Sequence, residues 1–243
     1  MRALIAGLGL IGGSIGMALR ARSWRVAYVD PHVAIDDARR AGAADEAGPQ
    51  AADLVIVATP VDVARRELDT LANYGLATTV CSVLRPFDRA GVVAGHPLAG
   101  SQEHGLAAAR ADLFEGKRWF VTRREALVDR MIDACGARCE VVDAEEHDRA
   151  VALTSHLPQI LSTALAAAID PELLRFAGPG LQTFLRLAGS DASVWAPVVE
   201  ANRDHLADAA ARVSELVQAI LGGDSDAFAK ARDLYARLSS APQ

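Results

Sequence analysis

The stretch Gly7-Leu8-Gly9-Leu10-Ile11-Gly12-Gly13-Ser14 constrains this chain more than any other, because an apolar run, Ala3 to Ala6, precedes it and a helical pattern follows. In that context a G-x-G-x-x-G spacing dictates strand, tight turn and helix. Gly7 permits the turn, Gly9 lets backbone approach a pyrophosphate, and Gly12 lets the helix pack closely on the sheet. The N–H groups at the helix start then face phosphate charge, with Leu8, Leu10 and Ile11 threaded between the glycines as cofactor contacts. Asp30 closes a second apolar run eighteen residues after Gly12, where a carboxylate can bond ribose hydroxyls. Pro31 and His32 follow it rather than an Arg, so a 2′-phosphate would meet negative charge with no cation beside it. The reading is therefore an NAD site in preference to NADP. Thr59-Pro60, at the end of the third run, borders the same cofactor.

Short apolar runs alternate with helical patterns as far as residue 143, the signature of a parallel sheet built from βαβ units. Strands are expected at Ala3–Ala6, Arg25–Val29, Leu54–Ala58, Thr78–Val83, Val92–Ala94, Arg118–Thr122 and Cys139–Val142. From Ala144 the texture becomes Ala-rich and helical. The fold class is thus α/β, with an N-terminal Rossmann-type dinucleotide-binding domain over 1–143 and an all-helical domain over 144–243. Helices are expected at Glu145–Ile169, across Leu181–Leu187, along a single long element Ser193–Leu221, and at Asp226–Leu238. Val194, Val198, Leu206, Val213, Leu216, Val217 and Ile220 recur at helical spacing, and a helical half of this size struggles to bury such a stripe alone. A homodimer through the helices is the expected remedy.

The net charge of −6 and scattered Arg residues leave no basic footprint for nucleic acid. No stretch approaches the roughly 18 uninterrupted apolar residues of a membrane span. Five glycines break the apolar opening of the chain, unlike a secretory leader. Three cysteines, an odd number, favour unpaired thiols in a reducing, cytoplasmic setting. Metal readings are disfavoured. No H-E-x-x-H or C-x-x-C pattern occurs, and His147 and His156 fall on opposite faces of a straight helix.

What is done with the cofactor is suggested by His96, just past Val92-Val93-Ala94. An imidazole, with an ordinary pKa of about 6.5, can accept a proton near neutrality, as a hydride-removing enzyme requires. In an open α/β sheet ligands bind beyond the carboxyl ends of the strands, and Gly7, Asp30, Thr59, Ser82 and His96 all fall at or just past such ends. In the helical half, Ser155-His156-Leu157-Pro158-Gln159 carries a proline that kinks its helix and offers polar groups to a pocket.

With these segments in place, Gly7–Ser14, Ser82-Val83, Gly95–Ser101, Gly105, Leu113-Phe114, His147-Asp148, Ser155–Pro158, Arg186, Ser190-Asp191 and Trp195, the chain resembles the prephenate/arogenate dehydrogenase family of tyrosine biosynthesis over nearly its whole length. The resemblance implies oxidation of a cyclohexadienol. Hydride leaves ring C4 for NAD, the ring carboxylate departs as carbon dioxide, and the ring becomes aromatic. It makes His96 the acceptor of the C4 hydroxyl proton and Ser82 a group that bonds His96 beside the nicotinamide. It gives Arg186 the substrate carboxylate, with Ser101, Gln102, Ser155, His156 and Gln159 as further substrate contacts.

Three departures are visible. Leu84 stands where the family commonly has Lys after Ser-Val, and the connection from Ser82 to His96 is short enough to have lost a helix. Gln159 replaces a second His, and Gln102 stands where an acid is common. Prephenate, arogenate and 4-amino-4-deoxyprephenate therefore stay open as substrates. A non-catalytic sensor of NAD and an aromatic precursor is the reading from another class. A β-hydroxyacid-type dehydrogenase needs a Lys on the helical side, where this chain has only Lys230.

Overall fold

The computed structural model describes residues 1–100 and 103–240. It divides into two compact units, one formed by Met1–Asp148 with Asp191–Ala201, the other by Arg149–Ser190 with the chain from Asn202 on.

In the first unit six strands form one sheet: β1 (Arg2–Ala6), β2 (Arg25–Val29), β3 (Glu46–Ala47), β4 (Leu54–Val57), β5 (Leu76–Thr79) and β6 (Val92–Val93). Their order is β3-β2-β1-β4-β5-β6, and every pair is parallel. This is the order of doubly wound dinucleotide-binding sheets, whose direction reverses between β1 and β4. Both faces of the sheet are covered, which is why the runs are apolar throughout rather than alternating. Ala3 and Ile5 of β1 enter the core on one face with Ile15, Leu19, Leu54 and Ile56, while Leu4 and Ala6 enter the other with Val55, Val57, Ala64 and Leu68. The covering helices are α1 (Leu10–Ala21), α2 (Ile35–Arg40), α3 (Val61–Leu71) and α4 (Ala126–Ala134). Only a 3₁₀ turn, Arg85–Phe87, lies in the short connection from β5 to β6, so the expected loss of a helix is seen.

The expectation of one continuous parallel sheet is corrected. The strands after β6 do not extend the parallel sheet. β7 (Gly95–Pro97), β8 (Arg118–Val121) and β9 (Arg138–Val141) form a separate three-stranded sheet, with β7 antiparallel to β8 and β8 parallel to β9. His96 therefore lies within a strand, opposite Phe120, as well as three residues beyond β6. Trp119 and Val121 on β8 are fully buried in the same core as α1 and α4, and that burial fixes the second sheet.

The helical half begins with α5 (Ala144–Val151), a π-helical segment Ala152–His156, and α6 (Leu157–Ala168). The π turn ends two residues before Pro158. Widening the helix there accommodates a ring that would otherwise meet the carbonyl of Thr154. Among the described residues, the run Ala144–Ala168 alone is long and apolar enough to cross a bilayer. Beyond Asp148, its buried polar side chains find partners within the second unit. Asn202 donates its amide to His156 Nδ1 (3.2 Å), Gln159 donates to the carbonyl of Leu187 (2.7 Å), and Ser162 donates to that of Phe184 (2.9 Å).

Beyond them lie α7 (Pro179–Phe184), a 3₁₀ turn Leu185–Gly189, α8 (Ala192–Ala201), α9 (Arg203–Leu221) and α10 (Asp226–Ser240). The single helix expected over Ser193–Leu221 is two. It breaks at Asn202, whose φ of −122° leaves the helical region, and α8 belongs to the first unit.

Candidate active site

At the switch between β1 and β4 the first unit holds a cavity of about 600 Å³. Its walls bring together Gly9, Leu10 and Ile11 from the glycine turn, Thr59 and Pro60 from the end of β4, Ser82 beyond β5, and His96 on β7. Seven of the residues expected from sequence thus share one concave surface. Gly7 opens the glycine turn with φ +86°, a conformation that favours glycine. Gly12 is buried, and a methyl there would stand 1.9 Å from the Gly7 carbonyl oxygen. A methyl on Gly9 would meet no protein atom within 4 Å, so the turn presents bare backbone to the cavity.

Asp30 completes the cradle. Its Oδ2 accepts the N–H of Leu8 and its Oδ1 that of His32, each at 2.8 Å. These bonds hold the carboxylate at the end of β2, beside the glycine turn. A dinucleotide fits these donors. The bare glycine backbone and the N-terminus of α1 suit a pyrophosphate, and the Asp30 carboxylate suits a ribose diol.

Across the cavity, His96 Nδ1 and His147 Nε2 lie 3.0 Å apart, their rings edge-on at 84°. His147 is nearly buried, with Phe120 against its ring, and its Nδ1 lies 2.8 Å from Asp148 Oδ1. Asp148 is fully buried. Its Oδ1 also accepts the N–H of Leu84 (2.8 Å) and its Oδ2 that of Arg85 (3.0 Å), while Arg85 Nε stands 3.4 Å from Oδ2. Burial is the largest influence on this carboxyl and acts to raise its pKa. The bonds from His147, Leu84 and Arg85 outweigh it and hold the group below the ordinary carboxylate value. Asp148 is therefore an anion at neutral pH.

The remaining walls include Cys81, His104, Asp191, Ser193, Val194 and Val198. Burial pushes the Cys81 thiol up to about 12, so it stays protonated and is neither base nor nucleophile at neutral pH. The side chain and backbone N–H of Ser193 hold the Asp191 carboxyl below its ordinary value.

The substrate contacts expected in the helical half belong to the second unit. Arg186 is exposed on the 3₁₀ turn, Ser155 is half-buried in the π segment, and His156 is fully buried against Asn202. Gln159 is buried with its amide engaged, since its Oε1 accepts the Ser190 hydroxyl at 3.2 Å. Ser101 and Gln102 lie outside the described residues. Sequence reasoning gave His147 and Asp148 no role. The adjacent His-Asp pair was the available signal, but its contact with His96 spans 51 residues.

A doubly wound sheet, a glycine turn with an acid at the next strand end, and a cavity bordered by that turn are the features of a dinucleotide-binding protein. The family follows from comparison. Residues 15–141 match the model of the prephenate dehydrogenase nucleotide-binding domain, and residues 143–231 that of the prephenate dehydrogenase dimerization domain. The chain belongs to the prephenate dehydrogenase family. It is 37% identical over 226 residues to NovF of Streptomyces niveus, a probable prephenate dehydrogenase, covering 82% of this chain and 62% of that protein. It is 30% identical over 241 residues to the prephenate dehydrogenase of Bacillus subtilis, covering 84% and 65%. The chain thus spans less than two thirds of the length of either relative. The prephenate dehydrogenase of A. aeolicus, solved with hydroxyphenyl propionate and NAD+, shares the fold with a TM-score of 0.85 at 23% identity, over 98% of this chain and 97% of that one.

Proposed function

We propose that this chain catalyses NAD-dependent oxidative decarboxylation of prephenate or arogenate. The observation that carries the reading is His96, which lines the same cavity as the glycine turn and is backed by His147 and Asp148. Bound NAD supplies the hydride acceptor. The chain's own part is to bind, orient and remove a proton. Hydride leaves an alcohol carbon readily only as charge builds on the oxygen, so a base at that oxygen stabilises the transition state more than the ground state. His96 is that base, and Ser82 lines the cavity where it can share the hydroxyl. Asp30 favours NAD over a 2′-phosphorylated cofactor, since both of its oxygens are held at the ribose end of the cradle.

Arg186 is assigned to a substrate carboxylate by the family resemblance, and its exposed guanidinium offers the planar fork such a group prefers. The dimerization-domain match and the exposed Leu173, Leu174, Phe176, Phe228, Leu234 and Tyr235 of the second unit support a homodimer. Asp191, an anion in the cavity wall, favours a second reading in which the substrate carries an amine, as arogenate and 4-amino-4-deoxyprephenate do. Reduced-nicotinamide absorbance with each of the three substrates, with NAD and NADP in parallel, tests these readings. Turnover with none of them would remove the enzyme assignment.

A further inference from the structure

We propose that His147 and Asp148 are positioning residues that fix the tautomer of His96, so that its Nε2 carries the lone pair that receives the substrate proton. Donors and acceptors alternate along one line of side chains from Asp148 to His96. An ionised carboxylate only accepts, and Asp148 already accepts the N–H groups of Leu84 and Arg85, with the Arg85 guanidinium 3.4 Å away as a countercharge. His147 Nδ1, 2.8 Å from Asp148 Oδ1, must therefore carry a hydrogen and donate it. A neutral imidazole has one N–H, so His147 Nε2 is an acceptor. The nitrogen 3.0 Å from it, His96 Nδ1, is then the donor, which leaves the His96 lone pair on Nε2. Each assignment follows from the one before it, and the chain starts at a buried charge 0% exposed.

The arrangement also has an energetic consequence, resting on the reading of His96 as the base. When Nε2 takes the hydroxyl proton, the O–H bond breaks, an N–H bond forms, and His96 becomes a cation. That cation already donates Nδ1–H to His147, whose own ring points its N–H at the Asp148 anion. A preorganised carboxylate one ring away favours the charge formed in the reaction and needs no rearrangement to do so. His147 is held in the required orientation by Phe120 at 5.6 Å and by near-complete burial. Arg85 also pairs with Glu145 at 3.2 Å, so a cation and a second acid stand at the far end of the line.

Histidine-selective 15N labelling with long-range proton–nitrogen spectra reads the tautomer directly, and His96→Gln assigns the signal among six histidines. At pH 8 the His96 Nδ1 is expected protonated and Nε2 unprotonated. In His147→Phe, which keeps a ring of similar shape, that preference is expected to be lost. In His147→Gln, whose side-chain oxygen can still accept, it is expected to be partly restored. kcat is expected to fall about 10²-fold in His147→Phe with KM changed less than about threefold, since the loss falls on the transition state. An Nε2–H tautomer in the wild type, or a His96 spectrum unmoved by either substitution, overturns the proposal. The spectra need no substrate, so a chain that turns over none of the three compounds still decides the tautomer question.

Discussion

Asp30 and Leu8 are joined by a 2.8 Å hydrogen bond from the Leu8 N–H to the Asp30 carboxylate, which ties the end of β2 to the centre of the glycine turn. The acid expected to meet a ribose thus also shapes the turn that meets the phosphates. Asp30→Ala removes both effects. A hydrogen bond to a charged group contributes about 1.5–3 kcal/mol, so the KM for NAD should rise roughly tenfold or more. The KM for NADP should rise less, because the charge opposing a 2′-phosphate is gone. Parallel titration of the two cofactors checks this, and an equal rise for both would contradict the assigned role.

Gly9 and Gly13 separate binding from folding. A methyl on Gly9 meets open space, whereas one on Gly13 stands 2.8 Å from Leu106 Cδ1 and 2.9 Å from Ala109 Cβ. The segment carrying those residues is also fastened to α1 by the Arg110 N–H donating to Ser14 Oγ at 3.0 Å. Gly9→Ala should therefore leave the unfolding midpoint nearly unchanged while weakening cofactor binding. Gly13→Ala should cost about 1–3 kcal/mol of stability through overpacking. Denaturant curves and cofactor titrations on the two variants give opposite patterns if this is right.

His96→Asn should lower turnover by about 10²- to 10⁴-fold, the usual contribution of a general base, with little change in cofactor binding. Asn keeps a side chain capable of hydrogen bonding on β7 but cannot accept a proton near neutral pH. Steady-state rates together with fluorescence titration of the cofactor check both halves. A variant that retains turnover would mean that the proton leaves by another route.

How far the sequence revealed these positions depended on the range of the forces involved. β1, β2 and β4 were legible because strands covered on both faces are apolar throughout, and Leu54-Val55-Ile56-Val57 has every residue buried. β7 was not. Gly95-His96-Pro97 has neither an apolar run nor an alternation, and it becomes a strand only through pairing with β8. The break at Asn202 was hidden for a similar reason, since Ala-rich helix lies on both sides and the buried Asn is held by His156, 46 residues away. Pro158 announced its own distortion locally, and the π segment sits just before it. In the site, the glycine turn and Asp30 are near in sequence and were found together. His147 meets His96 only across 51 residues of chain, and its sequence neighbours gave that contact no signal.

Asp148 makes stability depend on acid in a defined direction. Its folded-state pKa lies below the ordinary 3.8, because hydrogen bonds from His147, Leu84 and Arg85 outweigh the opposing effect of burial. A depressed value means the unfolded chain binds the proton more readily. The stabilisation is thus complete above the unfolded pKa and is lost as pH falls through the folded one. Urea midpoints should be insensitive to this group from about pH 5 to 8 and should fall steeply below about pH 4. Asp148→Asn removes the titration but leaves the Leu84 and Arg85 N–H groups with a weaker acceptor and His147 without its charged partner. It should cost about 3 kcal/mol at pH 7, as breaking a buried charged network does. The acid limb of its stability profile should be shallower than that of the parent chain. A variant as stable as the parent at pH 7, with an unchanged acid limb, would mean that the carboxylate is protonated in the folded chain and that the line of donors and acceptors ending at His96 does not start there.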